Sequence, residues 1–217
     1  MAKLYARLGA MGSSKSAQLL MVKHNYESQG KGVFVFTSEL DNRSGIGRVT
    51  SRVGISSEAY AVKESDDLFK IIGNIMISDF KTGKDRLSCI LVDEVQFFSE
   101  KHIEQLAKIV DEIGVPVICY GLKTDFMSRL FEGSKRLLEL ADSIEEIKTT
   151  CHFCNSKATQ NLKTSGGKAV YEGEQIQIGD EEYFSVCRYH YYNPLLDKKD
   201  LKKALDKSIW LCYNNIV

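Results

Sequence analysis

The 217-residue chain has no net charge, because 29 lysines and arginines balance 29 aspartates and glutamates. Affinity for nucleic acid comes largely from neutralising phosphates, so this balance argues against a protein whose main task is coating DNA or RNA. It leaves room for a local basic site. With 43 % hydrophobic residues, the composition is that of a globular chain, and the length allows a substantial core.

Long hydrophobic runs are also missing. The longest apolar stretches, residues 89–92 and 115–120, fall far short of the roughly 18–20 residues that span a bilayer, so no membrane partner is expected. Residues 1–7 lack the apolar centre of a signal peptide, which favours a cytoplasmic location. In that compartment the six cysteines are not expected to form a disulfide framework, so their spacing must decide their role.

Strand and helix patterns alternate over the first two-thirds of the chain. Continuous apolar runs rich in β-branched residues predict buried strands, and the segments between them predict helices. The predicted strands cover residues 3–8, 33–36, 89–92, 115–120 and 143–148, and the predicted helices cover 15–29, 66–79, 99–113 and a short segment ending at 141. The polar, Gly-rich segment 38–57 is predicted to be a long loop. This alternation indicates an α/β fold with a parallel sheet flanked by helices.

The pattern changes near residue 149, where the chain becomes short-stranded, Gly-rich and Tyr-rich, with four potential metal ligands. We therefore expect an α/β domain over residues 1–148 and a small metal-binding domain over residues 149–194. Residues 195–217 form a tail to which no role is assigned.

A candidate phosphate loop spans residues 9–16, between a predicted strand and a predicted helix. Successive backbone N–H groups and a helix N-terminus there would attract phosphate oxygens. A lysine would supply a mobile charge and the following serine hydroxyl could bind Mg²⁺. An ordinary Gly/Ser-rich turn with a solvated lysine is the alternative. The residues are Gly9, Ala10, Met11, Gly12, Ser13, Ser14, Lys15 and Ser16.

Two carboxylates, Asp93 and Glu94, follow the predicted strand 89–92. An apolar strand that ends in acidic residues is the partner that a phosphate loop needs. Asp93 would hold the Mg²⁺ shell, and Glu94 would accept a proton from an attacking hydroxyl or water. A solvated acidic pair at a strand end is the alternative.

The cysteines near the C-terminal third suggest a metal site. Cys151 and Cys154 form one pair with two intervening residues, and Cys187 and His190 form a second. Two such pairs predict a closed, tetrahedral and structural zinc site. His152 could compete as a ligand, and free buried cysteines are the alternative. Cys89 and Cys119 lie in predicted strands and are expected in the core.

These three motifs, in this order, resemble the type II thymidine kinases, the zinc-containing cytosolic family, over roughly residues 2–194. Further segments match the family pattern: 41–43, 51–54, 93–97, 120–126, 130–134, 171–174 and 183–187. The resemblance implies a P-loop kinase-type core plus a zinc-ribbon lasso domain. It also implies transfer of the ATP γ-phosphate to the 5′-hydroxyl of thymidine, giving dTMP in nucleotide salvage, with deoxyuridine as a possible second substrate.

The same resemblance assigns roles to individual residues. Glu94 would be the general base, with Asp41, Arg43 and Gln96 joining the phosphate loop and Asp93 at ATP and Mg²⁺. The zinc would anchor the lasso, and the family implies a homotetramer inhibited by dTTP. Without the resemblance, the pocket residues could be core, Tyr183 could pack on the zinc site, and Asp41 and Arg43 could form a solvated ion pair. The implied thymidine site comprises Met11, Phe97, Leu122, Phe126, Phe131, Val170, Ile178 and Tyr183.

Two positions depart from the family pattern. Ser14 stands where the family has glycine, and a positive φ there would strain the loop by about 1–2 kcal/mol. A catalytically weakened nucleotide-binding homologue is therefore the alternative function. Asp180, after Gly179, stands where the family has a second glycine. A helicase-like motor is disfavoured by length and neutral charge, and a zinc module with an inert α/β scaffold is disfavoured by the intact loop lysine and carboxylates.

Overall fold

The computed structural model describes residues 1–41, 43, 45–82, 86–175, 182–194 and 196. Outside this set lie Ile178, residues 179–180 where the sequence departs from the family pattern, and almost all of the predicted tail. The elements in chain order are β1 (Leu4–Gly9), α1 (Lys15–Glu27), β2 (Gly32–Ser38), β3 (Arg48–Thr50), β4 (Ser56–Glu58), β5 (Tyr60–Val62), α2 (Leu68–Thr82), β6 (Leu87–Val92), α3 (Glu100–Lys108), β7 (Val117–Leu122), α4 (Glu132–Leu140), β8 (Ser143–Glu146), β9 (Gln160–Ser165), β10 (Lys168–Val170), β11 (Glu182–Val186) and α5 (Arg188–Tyr192).

A six-stranded sheet forms the centre of the fold, in the order β5-β2-β6-β7-β1-β8. Every pair of neighbouring strands in it is parallel, as the alternation of strands and helices predicted. Parallel strands place their carboxyl ends at one edge of a sheet. The segments that follow β1, β6 and β7 therefore meet at that edge.

Apolar side chains pack on both faces of this sheet. Ile90 and Val92 of β6 pack on one face with α2, α3 and α4, while Leu91 packs on the other with α1. Successive side chains of a strand point to opposite faces, so a continuous apolar run is what a sheet covered on both sides requires. Cys89 and Cys119 are fully buried in these two cores, as predicted.

Three boundaries differ from the sequence-based expectation. The segment predicted as a loop contains the antiparallel β3–β4 hairpin and is followed by β5 at the sheet edge. Strands of three residues are too short to show a hydrophobic period. β7 begins at Val117 because Pro116 has no N–H to donate, although its carbonyl accepts from the Ile90 N–H at 2.9 Å. α3 passes into a π-helical turn at Ile109–Ile113.

A second, three-stranded antiparallel sheet has the order β10-β9-β11, with α5 packed beside it. Its own apolar cluster joins Leu162, Val186 and Tyr191 to Cys151. Among the described residues, no helix combines the length and apolarity needed to cross a membrane.

Candidate active site

The phosphate loop connects the end of β1 to the start of α1. Gly9 is required there by close packing, because a Cβ at this position would lie 2.5 Å from both the Ile147 carbonyl oxygen and the Ser13 hydroxyl. Gly12 has a φ of 68° and Ser14 a φ of 63°. Ser14 is thus in the left-handed conformation that costs a residue with a Cβ about 1–2 kcal/mol. The positive φ that was expected to strain the loop is therefore present at Ser14.

Lys15 is the buried cation of this loop, with only 8 % of its surface exposed. Its Nζ donates to the Ala10 carbonyl at 2.8 Å and to the Ser13 hydroxyl at 3.3 Å. Burial lowers the pKa of Lys15, while the nearby Glu94 and Asp93 carboxylates act in the opposite direction. The loop lysine and the carboxylates that follow β6 therefore belong to one electrostatic site.

Asp93 is buried at the carboxyl end of β6, and its Oδ1 has no hydrogen-bond partner among the described residues. Burial raises the pKa of Asp93 to about 7; Glu94 adds to the rise, and the Ser16 hydroxyl opposes it. An orphaned buried carboxylate oxygen near a serine hydroxyl is a donor set that suits a hard divalent cation. The residues present therefore fit Mg²⁺.

Glu94 has a φ of 49° and a ψ of 41°, so the chain turns sharply directly after Asp93. Its carboxylate accepts hydrogen bonds from the Arg43 guanidinium and from the Gln96 amide. Its side chain is 13 % exposed, which leaves a small accessible face. The carboxylate is therefore held by two donors.

Arg43 connects Glu94 to the loop after β2. Its guanidinium donates to both carboxylate oxygens of Asp41, at 2.6 Å and 3.1 Å, as well as to Glu94. Hydrogen bonding to Asp41 is the main cause that raises the pKa of Arg43. The Asp41–Arg43 pair is thus part of the carboxylate site, not an isolated surface ion pair.

Gln96 links the end of β6 to the end of β7. Its side-chain oxygen accepts from the Leu122 N–H at 2.9 Å, while its amide donates to Glu94. A Cβ on Gly121 would lie 2.5 Å from that oxygen, so this contact requires glycine. Glu94 and the start of the predicted pocket are therefore fixed to one another.

Aromatic side chains gather next to this edge of the sheet. The ring centroids of Phe97 and Phe131 lie 6.0 Å apart in an edge-to-face arrangement. Phe126 is 2 % exposed, and the buried Lys163 places its Nζ 4.6 Å from the Phe126 ring centroid. Of the predicted pocket residues, Phe97 and Phe131 are thus in contact, and Phe126 contacts Lys163, which the sequence analysis did not single out.

The predicted lasso contacts lie around the same lysine. Val170 of β10 and Tyr183 of β11 are both register partners of Lys163 in the small sheet. Lys163 therefore lies between the two described lasso positions that were predicted to contact the base.

The small sheet is hydrogen-bonded to the loop after β7. The Asn161 amide donates to the Thr124 carbonyl at 2.9 Å, and the Tyr191 hydroxyl donates to the Phe126 carbonyl at 2.6 Å. The Gln175 amide donates to the Asp125 carboxylate at 2.8 Å. These bonds tie β9, α5 and the segment after β10 to residues 124–126.

Cys151, Cys154, Cys187 and His190 form the one metal-ligand cluster found among the described residues, with ligand atoms all within 4.8 Å of one another. The Cys154 and Cys187 sulfurs are 3.9 Å apart, and His190 Nδ1 lies 3.5 Å from the Cys151 sulfur. Tetrahedral zinc with Zn–S bonds of about 2.3 Å separates its ligands by about 3.5–3.8 Å. The geometry is consistent with a structural zinc site.

His152 is not part of this cluster. Its ring packs against Phe153 and Phe184, with centroid distances of 5.0 Å and 4.6 Å. The spacing of the cysteines predicted Cys151 and Cys154 as ligands in preference to His152, and the structure contains that cluster.

Three further residues contact the phosphate loop and were assigned no role from the sequence. The Met11 N–H donates to Asn161 Oδ1 at 2.8 Å, and the Ser185 hydroxyl donates to the Met11 carbonyl. Arg52 Nη1 lies 3.5 Å from the position that a Cβ on Gly12 would occupy. Arg52 and Ser185 lie in segments that match the family pattern, and this match could have identified them from the sequence. No feature of the sequence pointed to Asn161.

A family model described as thymidine kinase matches residues 2–191. A thymidine kinase of Lactobacillus johnsonii is 51 % identical over 195 residues, covering 89 % of this chain and 98 % of that relative. A thymidine kinase of Lactobacillus acidophilus is 53 % identical over the same length and coverage.

Among solved structures, the Pif1 helicase of Candida albicans aligns with a TM-score of 0.37 and 15 % identity, covering 68 % of this chain and 36 % of the helicase. A likeness of that size carries no argument for a motor function. The family model and the bacterial relatives agree with the phosphate loop, the carboxylates and the cysteine–histidine cluster, and the chain belongs to the thymidine kinase family.

Proposed function

We propose that this thymidine kinase transfers the γ-phosphate of ATP to the 5′-hydroxyl of thymidine, with dTMP and ADP as products. The observation that carries the proposal is the placement of Glu94, which lies beside the phosphate-loop lysine and is held by Arg43 and Gln96. A carboxylate fixed between a phosphate site and an aromatic pocket is suited to receive a proton from a substrate hydroxyl.

The phosphates of ATP are assigned to residues 9–16, where backbone N–H groups and Lys15 supply positive potential. Mg²⁺ is assigned to the Ser16 hydroxyl and the Asp93 carboxylate, and when bound it neutralises charge on the β- and γ-phosphates. Arg43 lies on the same side, with its guanidinium between Asp41 and Glu94. In the transfer, the 5′-hydroxyl loses its proton to Glu94, its oxygen bonds to the γ-phosphorus, and ADP leaves.

Thymidine is assigned to the pocket formed by Phe97, Phe126 and Phe131, with Met11 and Leu122 at its edges. Flat aromatic walls suit a pyrimidine, and Phe97 and Phe131 already present an edge-to-face pair. Val170, Ile178 and Tyr183 are assigned to the lasso that closes over the base. Lasso backbone N–H and C=O groups would match the O and N–H edge of a pyrimidine.

Five wider features remain proposals. The domain division after residue 148 is supported by the end of β8 at Glu146 and by the separate core of the small sheet. Structural zinc is supported by the cysteine–histidine geometry. The homotetramer, inhibition by dTTP and the cytoplasmic location rest on the family resemblance.

A catalytically weakened homologue is the second candidate, because Ser14 has a left-handed backbone where the family carries glycine. Relief of that strain in a Ser14→Gly variant would then raise activity. Intact Lys15, Asp93 and Glu94 favour the active kinase.

Radiolabelled thymidine with Mg·ATP tests the proposal by scoring dTMP. The zinc-loaded parent should form dTMP in a thymidine-dependent manner. Absence of that product from folded, zinc-loaded protein would reject the kinase assignment. Deoxyuridine in place of thymidine measures how much the pocket depends on the 5-methyl group.

A further inference from the structure

The main chain of Met11 is held from the zinc-bearing side of the molecule. Its N–H donates to Asn161 Oδ1 at 2.8 Å, and its carbonyl accepts from the Ser185 hydroxyl. Both polar groups of this phosphate-loop residue are thus satisfied by side chains of the small sheet. These groups belong to the two peptide units on either side of the Met11 Cα, so each unit is held by one hydrogen bond.

The acceptor, Asn161, and the donor, Ser185, lie next to each other in the small sheet. Asn161 of β9 and Ser185 of β11 are direct cross-strand partners, so their side chains leave the sheet side by side. Asn161 is 3 % exposed, which shields its hydrogen bonds from competing water. The Ser185 carbonyl also accepts from the His152 N–H at 2.8 Å, within the knuckle that carries two of the cysteines.

Strand alternation explains why these side chains reach the loop. Leu162 points into the apolar cluster of the zinc-bearing domain, so its neighbours Asn161 and Lys163 point to the opposite face. On that face Lys163 lies over Phe126, and the Asn161 amide donates to the Thr124 carbonyl at 2.9 Å. One buried amide therefore bonds the phosphate loop on one side and the loop of the nucleoside pocket on the other.

A cavity of about 320 Å³ borders the start of the phosphate loop, and its lining includes Gly9, Ala10, Thr124 and Asn161. The bonds to Met11 therefore act in addition to the packing of Gly9 and of the buried Ser13.

We propose that Asn161 and Ser185 are positioning residues that couple the nucleoside pocket to the phosphate loop through the main chain of Met11. The proposal rests on the kinase function proposed above. Their side chains bond the main chain of Met11 and, for Asn161, of Thr124, so they are assigned no part in the chemical step. Thymidine bound against the small sheet stabilises the arrangement in which both bonds to Met11 are made, and this keeps the loop N–H groups aligned for the phosphates of ATP.

The coupling predicts a reciprocal effect between the two ligands. In the parent, saturating thymidine should tighten binding of a non-hydrolysable ATP analogue with Mg²⁺ by about fivefold or more. In Asn161→Ala and Ser185→Ala that factor should fall towards one, and the KM for ATP should rise about three- to tenfold. Ser185→Thr keeps the hydroxyl and should retain most of the coupling.

Thr164→Val is the matched control. Thr164 lies on the same strand, and its hydroxyl bonds the Glu182 carbonyl within the sheet, away from Met11. This variant should keep the coupling factor and both KM values. Zinc content and the melting temperature of each variant show that the domain is folded.

The proposal is overturned if thymidine does not tighten the analogue in the parent, or if both alanine variants keep the parent's factor. It is equally overturned if Thr164→Val lowers the coupling factor as much as the two alanine variants do. The effect would then come from general destabilisation of the domain. Because the coupling is measured by binding, a parent that binds both ligands but forms no dTMP would reject the kinase assignment alone.

Discussion

The Arg43 guanidinium donates a hydrogen bond to the Glu94 carboxylate across 51 positions of the sequence. A cation from the loop after β2 is thereby placed against the proposed general base at the end of β6. The contact orients the carboxylate and also ties Asp41 to the site. It makes Glu94 the residue whose chemistry can be tested most directly.

Glu94→Gln should lower kcat by about 10²- to 10⁴-fold, because the amide keeps the shape of the side chain but cannot accept the substrate proton. Thymidine affinity, measured by calorimetry, should stay within about threefold of the parent. Glu100→Gln makes the same charge change at the start of α3 and should leave both values unchanged. A Glu94→Gln variant with parental kcat would remove Glu94 from the role of general base.

Ser14→Gly should relieve the left-handed strain of about 1–2 kcal/mol, while extra freedom of glycine in the unfolded chain offsets about 0.5–1 kcal/mol. A net gain of up to about 1 kcal/mol in the free energy of unfolding is expected, together with a lower KM for ATP. Urea unfolding measures the free energy of unfolding, and ATP titration of the reaction rate measures the KM. Ser14→Ala retains the Cβ and should show neither gain. Unchanged KM and kcat in Ser14→Gly would show that the serine does not weaken the loop.

His102 is 3 % exposed, and neither ring nitrogen makes a hydrogen bond of normal geometry to the described residues. Burial lowers the pKa of His102, while Asp66 and Glu64 act in the opposite direction. Below about pH 6.5 the unfolded chain then binds more protons than the folded protein, so the free energy of unfolding falls as the pH falls.

Replacing this ring with a non-titrating one should flatten that dependence. Between about pH 7 and 5, His102→Phe should lose less unfolding free energy than the parent, as measured by urea titration at each pH. His24→Gln, at an exposed position of α1, should keep the parental slope. Parallel slopes for the parent and His102→Phe would mean that His102 does not set this dependence.

Removal of the metal should affect the lasso before the core. In Cys187→Ser, or after chelation, thymidine binding should be lost while the far-UV circular dichroism of the six-stranded core persists, since that sheet has its own buried clusters. Cys119→Ala changes a core cysteine outside the ligand cluster and should retain one zinc per chain. Retention of both zinc and thymidine affinity by Cys187→Ser would contradict the structural zinc assignment.

The parallel sheet could be predicted because its central strands, such as β6 and β7, are continuous apolar runs. The hairpin of β3 and β4 could not, since Val49 is the only buried residue in six. Polar pairing of that kind leaves no hydrophobic period to detect.

The site was predictable only where one short segment carries the chemistry. The residues 9–16, 93–94 and the cysteine pairs each form a local motif. The bond from Met11 to Asn161 spans 150 positions and has no local signature. The backbone of Ser14 also depends on tertiary context, because serine adopts a left-handed φ only when the surrounding structure enforces it.

The strand order has a consequence for synthesis of the chain. β1 leads directly into the phosphate loop, yet it pairs with β7 and β8, and the Arg7–Tyr120 contact joins residues 113 positions apart. At about 5–20 residues per second, a ribosome needs roughly 6–23 seconds to supply that partner strand. Throughout that interval the apolar β1 has no sheet to enter. A nascent chain arrested before β7 should therefore bind chaperones that release it once β7 has emerged.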